Sequence, residues 1–366
     1  MLSPDLPVPL PARVRAIPGR LRRSIRDRRA ASHASAAIEG AIAEHAARLR
    51  DPRVLRWTAL DAASGEGGLV VRLGPPGGPA RALLRLADGE AARAGLAAEA
   101  DVLARLDRTP ALADWRSLVP EVLGTGVHER WQYVLETVLP GRTLRLHADP
   151  RRREHQLRAV VAAIAPLHAA TFAVETVTPG LVERWVDRRI RSAAELLLPG
   201  PGERAGRDRL VGLQAELWAT MGGRRVRTAL VHGDLWAGNI LVDGSEETAR
   251  HDGGQPSAAI TGIVDWDSAT EHELPAHDLL HLLLYGRRRL ERRPLGHVVA
   301  DVLRLGLRPE ERALLEPHLA PGLSERVLVL LYWLRFVEMN ERRQPLAVRT
   351  GRAWRVDNVE SVLRVG

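Results

Sequence analysis

The chain has 366 residues, 45% of them hydrophobic, a formal net charge of +8 and no cysteine. That length and composition suffice for two domains or one large two-lobed body with a real apolar core, and the lack of cysteine excludes disulfides, thiolate nucleophiles and cysteine-ligated zinc. All 53 basic residues are arginine, so a Walker A lysine and a Schiff-base lysine are excluded as well.

In chain order, residues 1–45 read as a basic appendage. Arg13, Arg15, Arg20, Arg22, Arg23 and Arg26 crowd it, with Leu10, Val14, Ile17, Leu21 and Ile25 at roughly helical spacing. Such an arm could rest on an anionic membrane surface. Pro18-Gly19 breaks the pattern, however, and a loose leader or a helix packed on the main body is the preferred reading. No secretory signal is expected at the start of the chain. The apolar run 327–334 is too short to span a bilayer, so a cytoplasmic protein is expected.

Residues 46–138 are strand-like. Val54–Trp57, Leu69–Leu73 and Ala82–Leu86 are separated by Gly/Pro-rich turns, which predicts consecutive antiparallel strands. A helix carrying Ala92, Leu96, Glu99, Leu103 and Leu106 follows, then strands over 119–127 and 131–138, and a break at Leu139-Pro140-Gly141. Residues 139–366 are mostly helical, with apolar faces over 156–170, 181–197, 207–221, 276–290, 310–319 and 323–342. The polar stretch 243–257 reads as an exposed hairpin insertion.

Inside the helical half lies Leu230-Val231-His232-Gly233-Asp234-Leu235-Trp236-Ala237-Gly238-Asn239, with the order His-x-Asp-Leu-x-x-x-Asn of a protein-kinase catalytic loop. In that arrangement the carboxylate accepts the proton of a substrate hydroxyl and the amide holds magnesium. Downstream, Ile260-Thr261-Gly262-Ile263-Val264-Asp265-Trp266-Asp267 ends an apolar run on a second carboxylate, where a metal ligand for nucleotide phosphates would sit. Either piece alone is common; both at this spacing are not. His277 and His281, four residues apart on a predicted helix, read as a structural pair, because no third metal ligand accompanies them.

The chain resembles the aminoglycoside phosphotransferase and choline kinase superfamily, the small-molecule relatives of protein kinases. Trp236 after His-Gly-Asp-Leu is similar to the fructosamine kinases among them. The resemblance covers about residues 50–345. It implies an α+β, protein-kinase-like bilobal fold, with a small antiparallel sheet and nucleotide-binding lobe over 46–138 and a helical lobe over 139–366 that carries the catalytic loop and substrate site. It implies Asp234 as catalytic base, a role worth about 10²–10⁴-fold, with Asn239 and Asp265 as ligands of Mg²⁺ for ATP or another nucleoside triphosphate. His232 and Asp278 would support the loop and Asp267 would assist beside the metal. Arg85 would grip phosphates in place of the usual lysine and pair with Glu99. A planar fork reaches differently from an ammonium, and an edge-strand surface arginine is the plain alternative. Ser64, Gly65 and Gly67 could cover the phosphates, although a hairpin turn looks the same. Glu136 and Val138 would offer backbone groups to adenine.

These assignments lead to an ATP-dependent O-phosphotransferase acting on a hydroxyl of a small molecule such as a sugar, amino alcohol or aminoglycoside-like compound. Glu271, Glu273, Trp333, Glu338 and Glu341 are the candidate substrate contacts. A chain at +8 repels polycations, which favours a neutral or anionic acceptor. The alternative is a catalytically inactive nucleotide-binding scaffold that uses its basic arm to bind a partner. A nucleic-acid partner is not expected, because aromatic residues for base stacking make up only 4% of the chain.

Overall fold

The computed structural model describes residues 34–64, 68–243, 259–318 and 323–365. The basic arm before residue 34, Gly65 and Gly67 of the glycine-rich turn, and most of the 243–257 insertion lie outside the described residues. The chain divides into two compact units, residues 1–100 with 121–138 and residues 101–120 with 139–366. One is built on an antiparallel sheet and the other is predominantly helical, the α+β bilobal class expected from the sequence.

The first unit holds β1 (Thr58–Ser64), β2 (Gly68–Gly74), β3 (Ala82–Ala87), β4 (Val122–His128) and β5 (Trp131–Thr137), all antiparallel in the order β1-β2-β3-β5-β4. The strand expected from Val54 starts later. Asp51 accepts the Arg53 N–H at 2.9 Å and grips its guanidinium, and this local bond holds Val54–Arg56 in a turn of 3₁₀ helix. The strand expected from Val119 likewise begins only at Val122, since Pro120 has no N–H to give a ladder.

Alternation along β3 decides which side chains meet which helix. Ala82, Leu84 and Leu86 join Leu69, Val71 and Tyr133 under Ile38, Ala41, Ile42 and Ala46 of α1 (Ser35–Leu49). Helix α1 therefore runs through residue 45 as part of the sheet's core, and Tyr133 donates its hydroxyl to Glu44. On the opposite face Ala87 and Val134 pack against Leu96 of α2 (Glu90–Asp107), and Arg85 points that way too.

The second unit contains two three-stranded sheets. β6 (Arg142–Thr143), β9 (Ile240–Val242) and β10 (Ile260–Ile263) run in the order β10-β9-β6; β7 (Ala173–Thr176), β8 (Arg225–Val231) and β11 (Thr270–Glu273) run in the order β11-β8-β7. Around them lie α3 (Pro150–Thr171), the helical run 179–195 (α4), α5 (Pro201–Met221), the run 276–291 (α6), α7 (Leu295–Leu305), α8 (Pro309–Leu315) and α9 (Glu325–Arg343). Asp149 and Ser324 cap α3 and α9 by accepting the N–H groups of Arg152 and Val327. The 327–334 segment of α9 is apolar on all sides because it lies in the core: Leu328, Leu330, Leu331, Trp333 and Leu334 are wholly buried. Among the described residues no helix is long and apolar enough to cross a membrane. A π turn at His281–Tyr285 widens α6 next to the His232–Asn239 loop, a distortion common at functional sites.

Candidate active site

Strand β8 delivers the chain into His232-Gly233-Asp234. Gly233 sits at φ +85°, and a Cβ there would come within 2.1 Å of the Ser268 carbonyl oxygen, so the turn admits only glycine. Asp278, fully buried in the first turn of α6, accepts the backbone N–H groups of His232 and Gly233, both at 2.8 Å, and lies 3.0 Å from His168 Nε2. Burial pushes the Asp278 carboxyl up, but His168, His232 and the Gly233 N–H outweigh burial and hold it below its ordinary value. Buried Arg335 of α9 donates to the carbonyls of Gly233 at 2.7 Å and Ser268 at 3.2 Å. His232 donates Nε2–H to the Val264 carbonyl at 3.0 Å and accepts the Asp234 N–H on Nδ1 at 3.2 Å, which defines its tautomer. Its ring packs 4.5 Å from that of Trp266.

The two oxygens of Asp234 have different neighbours. Oδ1 lies 2.9 Å from His281 Nε2, a close approach off the line of a straight hydrogen bond. Oδ2 accepts from Arg343 Nη1 at 2.8 Å. Arg343 also donates to Ser268 Oγ at 2.6 Å and pairs with Asp267. Burial raises the Asp234 carboxyl, but His281 and Arg343 overcome it and hold the group well below the usual carboxylate range. Asp267 is pushed upward by burial and by the Asp265 carboxylate, against the pull of Arg343.

Asn239 closes the 3₁₀ turn Ala237–Asn239 and donates Nδ2–H to the Asp234 carbonyl at 2.9 Å, leaving its carboxamide oxygen on the other side of the group. Strands β9 and β10 pair so that the Val264 N–H donates to the Asn239 carbonyl at 2.9 Å, which sets Asp265 next to Asn239. Asp265 has φ +71°, a left-handed conformation that Asp tolerates better than most residues. A carboxamide oxygen and a carboxylate are the hard donors magnesium takes, with water and phosphate oxygens completing its shell. The donor chemistry fits magnesium on that condition, since among the described residues no group of three His, Cys, Asp or Glu is arranged to hold a metal by itself.

In the sheet unit, Arg85 Nη1 lies 2.6 Å from Glu99 Oε1, and Glu99 is buried. Glu136 is buried on β5, Val138 is exposed just beyond it, and Ser64 ends β1.

The five candidate substrate contacts are distributed differently. Glu273 is buried against Arg189 at 2.5 Å and His277 at 2.9 Å. Glu338 pairs with Arg188 and Arg342, each at 2.8 Å. Glu341 binds Ser192 and Arg349, exposed Glu271 pairs with Arg105, and Trp333 donates to the Asn358 carbonyl within the core. The structure thus brings Asp234, Asn239, Asp265, Asp267, His232 and Asp278 together and leaves these five in other surroundings. Arg343, Arg335 and His281 are contacts that sequence spacing does not reveal. Arg343 is 109 residues from Asp234, and its only local signal is a cation in the last turn of a helix, which the helix dipole explains equally well. His277 and His281 do not act as a pair: one turns to Glu273 and the other to Asp234.

A sheet unit and a helical unit bearing this loop define the protein-kinase-like class of phosphotransferases. Residues 58–316 match the phosphotransferase enzyme family, APH, and the chain belongs to that family. It is accordingly a small-molecule, ATP-dependent kinase with an alcohol group as acceptor. Among solved structures, the GDP and kanamycin complex of APH(2")-IIia is 14% identical with a TM-score of 0.50, over 84% of this chain and 91% of that one. That likeness shows the fold. An aminoglycoside-3'-phosphotransferase of type VIII is 21% identical with a TM-score of 0.45, over 80% and 98% of the two chains. An ethanolamine kinase from Plasmodium vivax is 11% identical with a TM-score of 0.47, over 86% and 83%. No curated protein matches the chain.

Proposed function

We propose that the enzyme transfers the γ-phosphoryl group of ATP, or of another nucleoside triphosphate, to a hydroxyl of a small molecule such as a sugar, amino alcohol or aminoglycoside-like compound, with Asp234 as the base. The acceptor oxygen forms its bond to γ-phosphorus, the bond from γ-phosphorus to the bridging oxygen breaks, and the hydroxyl proton passes to Asp234 and then to water. The products are ADP and a phosphate monoester. A carboxylate held as low as Asp234 is a weak base in the ground state. It suits a loose transition state, in which most of the protein's work is positioning. Asp234 therefore orients the hydroxyl and takes the proton late. Oδ2 accepts from Arg343 at 2.8 Å and from the Asn239 amide at 3.5 Å, and His281 only approaches Oδ1, so of the carboxylate's about four lone-pair sites those on Oδ1 take no straight hydrogen bond.

Asn239 and Asp265 would hold Mg²⁺, which when bound neutralises charge on the phosphates. Arg85, fixed by Glu99, would supply the permanent cation that grips them. Backbone groups of Glu136 and Val138 would meet the base. Ser64 would help cover the phosphates together with Gly65 and Gly67. What supports this reading most is the Asn239 amide bonded to the Asp234 carbonyl, one strand pairing away from Asp265.

The test is magnesium-ATP turnover against a library of hydroxylated metabolites and antibiotics, with Asp234→Ala as control. At least one acceptor is expected to stimulate turnover, by a margin the variant loses about 10²–10⁴-fold. If none raises turnover above the Asp234→Ala level, the reading fails.

A further inference from the structure

Beside the catalytic loop, within the helical unit, lies a cavity of about 650 Å³, a size suited to a small ligand. Arg288, Arg289, Arg292 and Arg293 line one part of it, and Tyr285, Phe336 and Trp354 supply aromatic surface. Asp357 is the only carboxylate among the lining residues, and it lies 3.3 Å from His297. Arg293 is neutralised by Asp301 at 2.7 Å. Arg288 lies over the Tyr285 ring at 4.6 Å and Arg289 over Trp236 at 5.8 Å; neither they nor Arg292 pairs with a carboxylate among the described residues. Asp234 does not itself line the cavity, but two chains of side-chain contact join the lining to it. Tyr285 stacks on His281 at 4.9 Å, and His281 lies 2.9 Å from Asp234. Phe336 and Asn340 share with Arg343 the i, i+4, i+7 face of α9, and Arg343 holds the other oxygen of Asp234.

We propose that this cavity is the acceptor subsite and that it selects an anionic acceptor, a hydroxylated compound carrying a phosphate or carboxylate. This inference rests on the reading of Asp234 as the group that receives the acceptor hydroxyl. The guanidinium forks of Arg288, Arg289 and Arg292 match the planar oxygens of such anions. The rings of Tyr285, Phe336 and Trp354 cover the carbon skeleton, and the hydroxyl reaches past Tyr285 and His281 towards Asp234. A polycation would meet three unpaired arginines there and is rejected by like charge.

Two measurements separate this inference from the reading beneath it. The first is tryptophan fluorescence of the full chain without nucleotide, titrated with glucose 6-phosphate, gluconate, glucose and kanamycin; Trp354 lines the cavity and Trp236 touches Tyr285. One or both anions are expected to give a saturable change, with glucose and kanamycin silent. The first two probes distinguish a phosphate from a carboxylate as the recognised group. Replacement Arg289→Gln/Arg292→Gln is expected to weaken that binding about tenfold or more, as loss of charge-assisted hydrogen bonds does. The charge-matched control Arg204→Gln/Arg209→Gln, on the exposed surface of α5, is expected to bind as the wild type does. Binding of neither anion, equal binding of glucose or kanamycin, or equal weakening in both double variants overturns the inference. The second measurement is ATP turnover that depends on Asp234. Its absence alongside intact anion binding removes the phosphotransfer reading, while its presence without anion binding removes only the proposed acceptor class.

Discussion

Two arginine-rich regions of the helical unit use the same side chain in opposite ways. Around α4 and the end of α9, Arg188, Arg189, Arg342 and Arg349 each face a carboxylate, and Glu273, Glu338 and Glu341 are consumed in the pairing. Along the cavity, Arg288, Arg289 and Arg292 face aromatic rings and open space. Arg189 and Glu273 are buried, and a buried charge must be matched where it sits, so the pair at the centre of the first region belongs to the fold. A cation left unmatched at a cavity keeps its binding capacity for something that arrives. Net charge does not distinguish the two; local pairing does.

The sharpest way to break the comparison is to remove one partner from the matched region. Arg189→Met leaves Glu273 buried without its closest cation, and Arg189 is itself only 2% exposed. Loss of one partner of a buried pair costs about 3–5 kcal/mol. Equilibrium urea unfolding is expected to show a loss of that order. A loss under 1 kcal/mol would mean that the pair is no better matched than a surface bridge.

Asp278→Asn probes the His232–Asn239 loop at a smaller scale. The amide keeps the side-chain shape but loses the charge that two backbone N–H groups and His168 share. Hydrogen bonds to charged groups contribute about 1.5–3 kcal/mol, and part of that is expected to disappear in the same unfolding measurement. Because the contacts fix His232 and Gly233 rather than Asp234, the fall in kcat is expected to be smaller than that of Asp234→Ala. Equal falls would place Asp278 in direct contact with the reaction.

These sites also mark what the sequence could and could not reveal. Alternation placed most strands of the sheet, and the all-round apolar pattern of 327–334 identified a buried helix correctly. Short-range chemistry defeated the pattern at Val54, where Asp51 bends the chain, and at Val119, where Pro120 interrupts the ladder. The grouping of His232, Asp234 and Asn239 was legible because it depends on spacing within one loop. Arg343 and Arg335 were not, because their contacts with Asp234 and Gly233 are made by tertiary packing across 109 and 102 residues. The acids expected to line a substrate site were visible as acids, but their arginine partners come from elements far away in sequence, such as Arg189 and Glu338.

The matched region carries a pH signature. His277 is buried against Glu273, Arg189 and Arg335; burial holds its pKa below 6.5, with Glu273 restoring only part of the loss. The unfolded chain therefore takes up a proton before the folded protein does. The stability this group contributes is complete above pH 6.5 and is lost as pH falls from there towards the lower folded value. In His277→Gln the decline of stability between about pH 7.5 and 5.5 is expected to be shallower than in the wild type, read from urea midpoints. Glu273 does not titrate in that window, because Arg189 and His277 hold it well below its ordinary value against burial. An unchanged slope would assign the acid sensitivity to other histidines.

The smallest effect on folding is expected where the binding effect is large. Arg289 is exposed, pairs with no carboxylate among the described residues, and lies 5.8 Å over the ring of Trp236. Replacing it with Gln removes a cation–π contact worth about 0.5–1 kcal/mol at an exposed site and relieves repulsion from Arg288 and Arg292. The two changes oppose each other, so the unfolding free energy is expected to stay within about 0.5 kcal/mol of the wild type. A residue whose removal the fold tolerates while an anion loses its hold is one retained for binding. A larger loss of stability from Arg289→Gln would move this arginine into the matched class and leave the cavity with one fewer cation to offer.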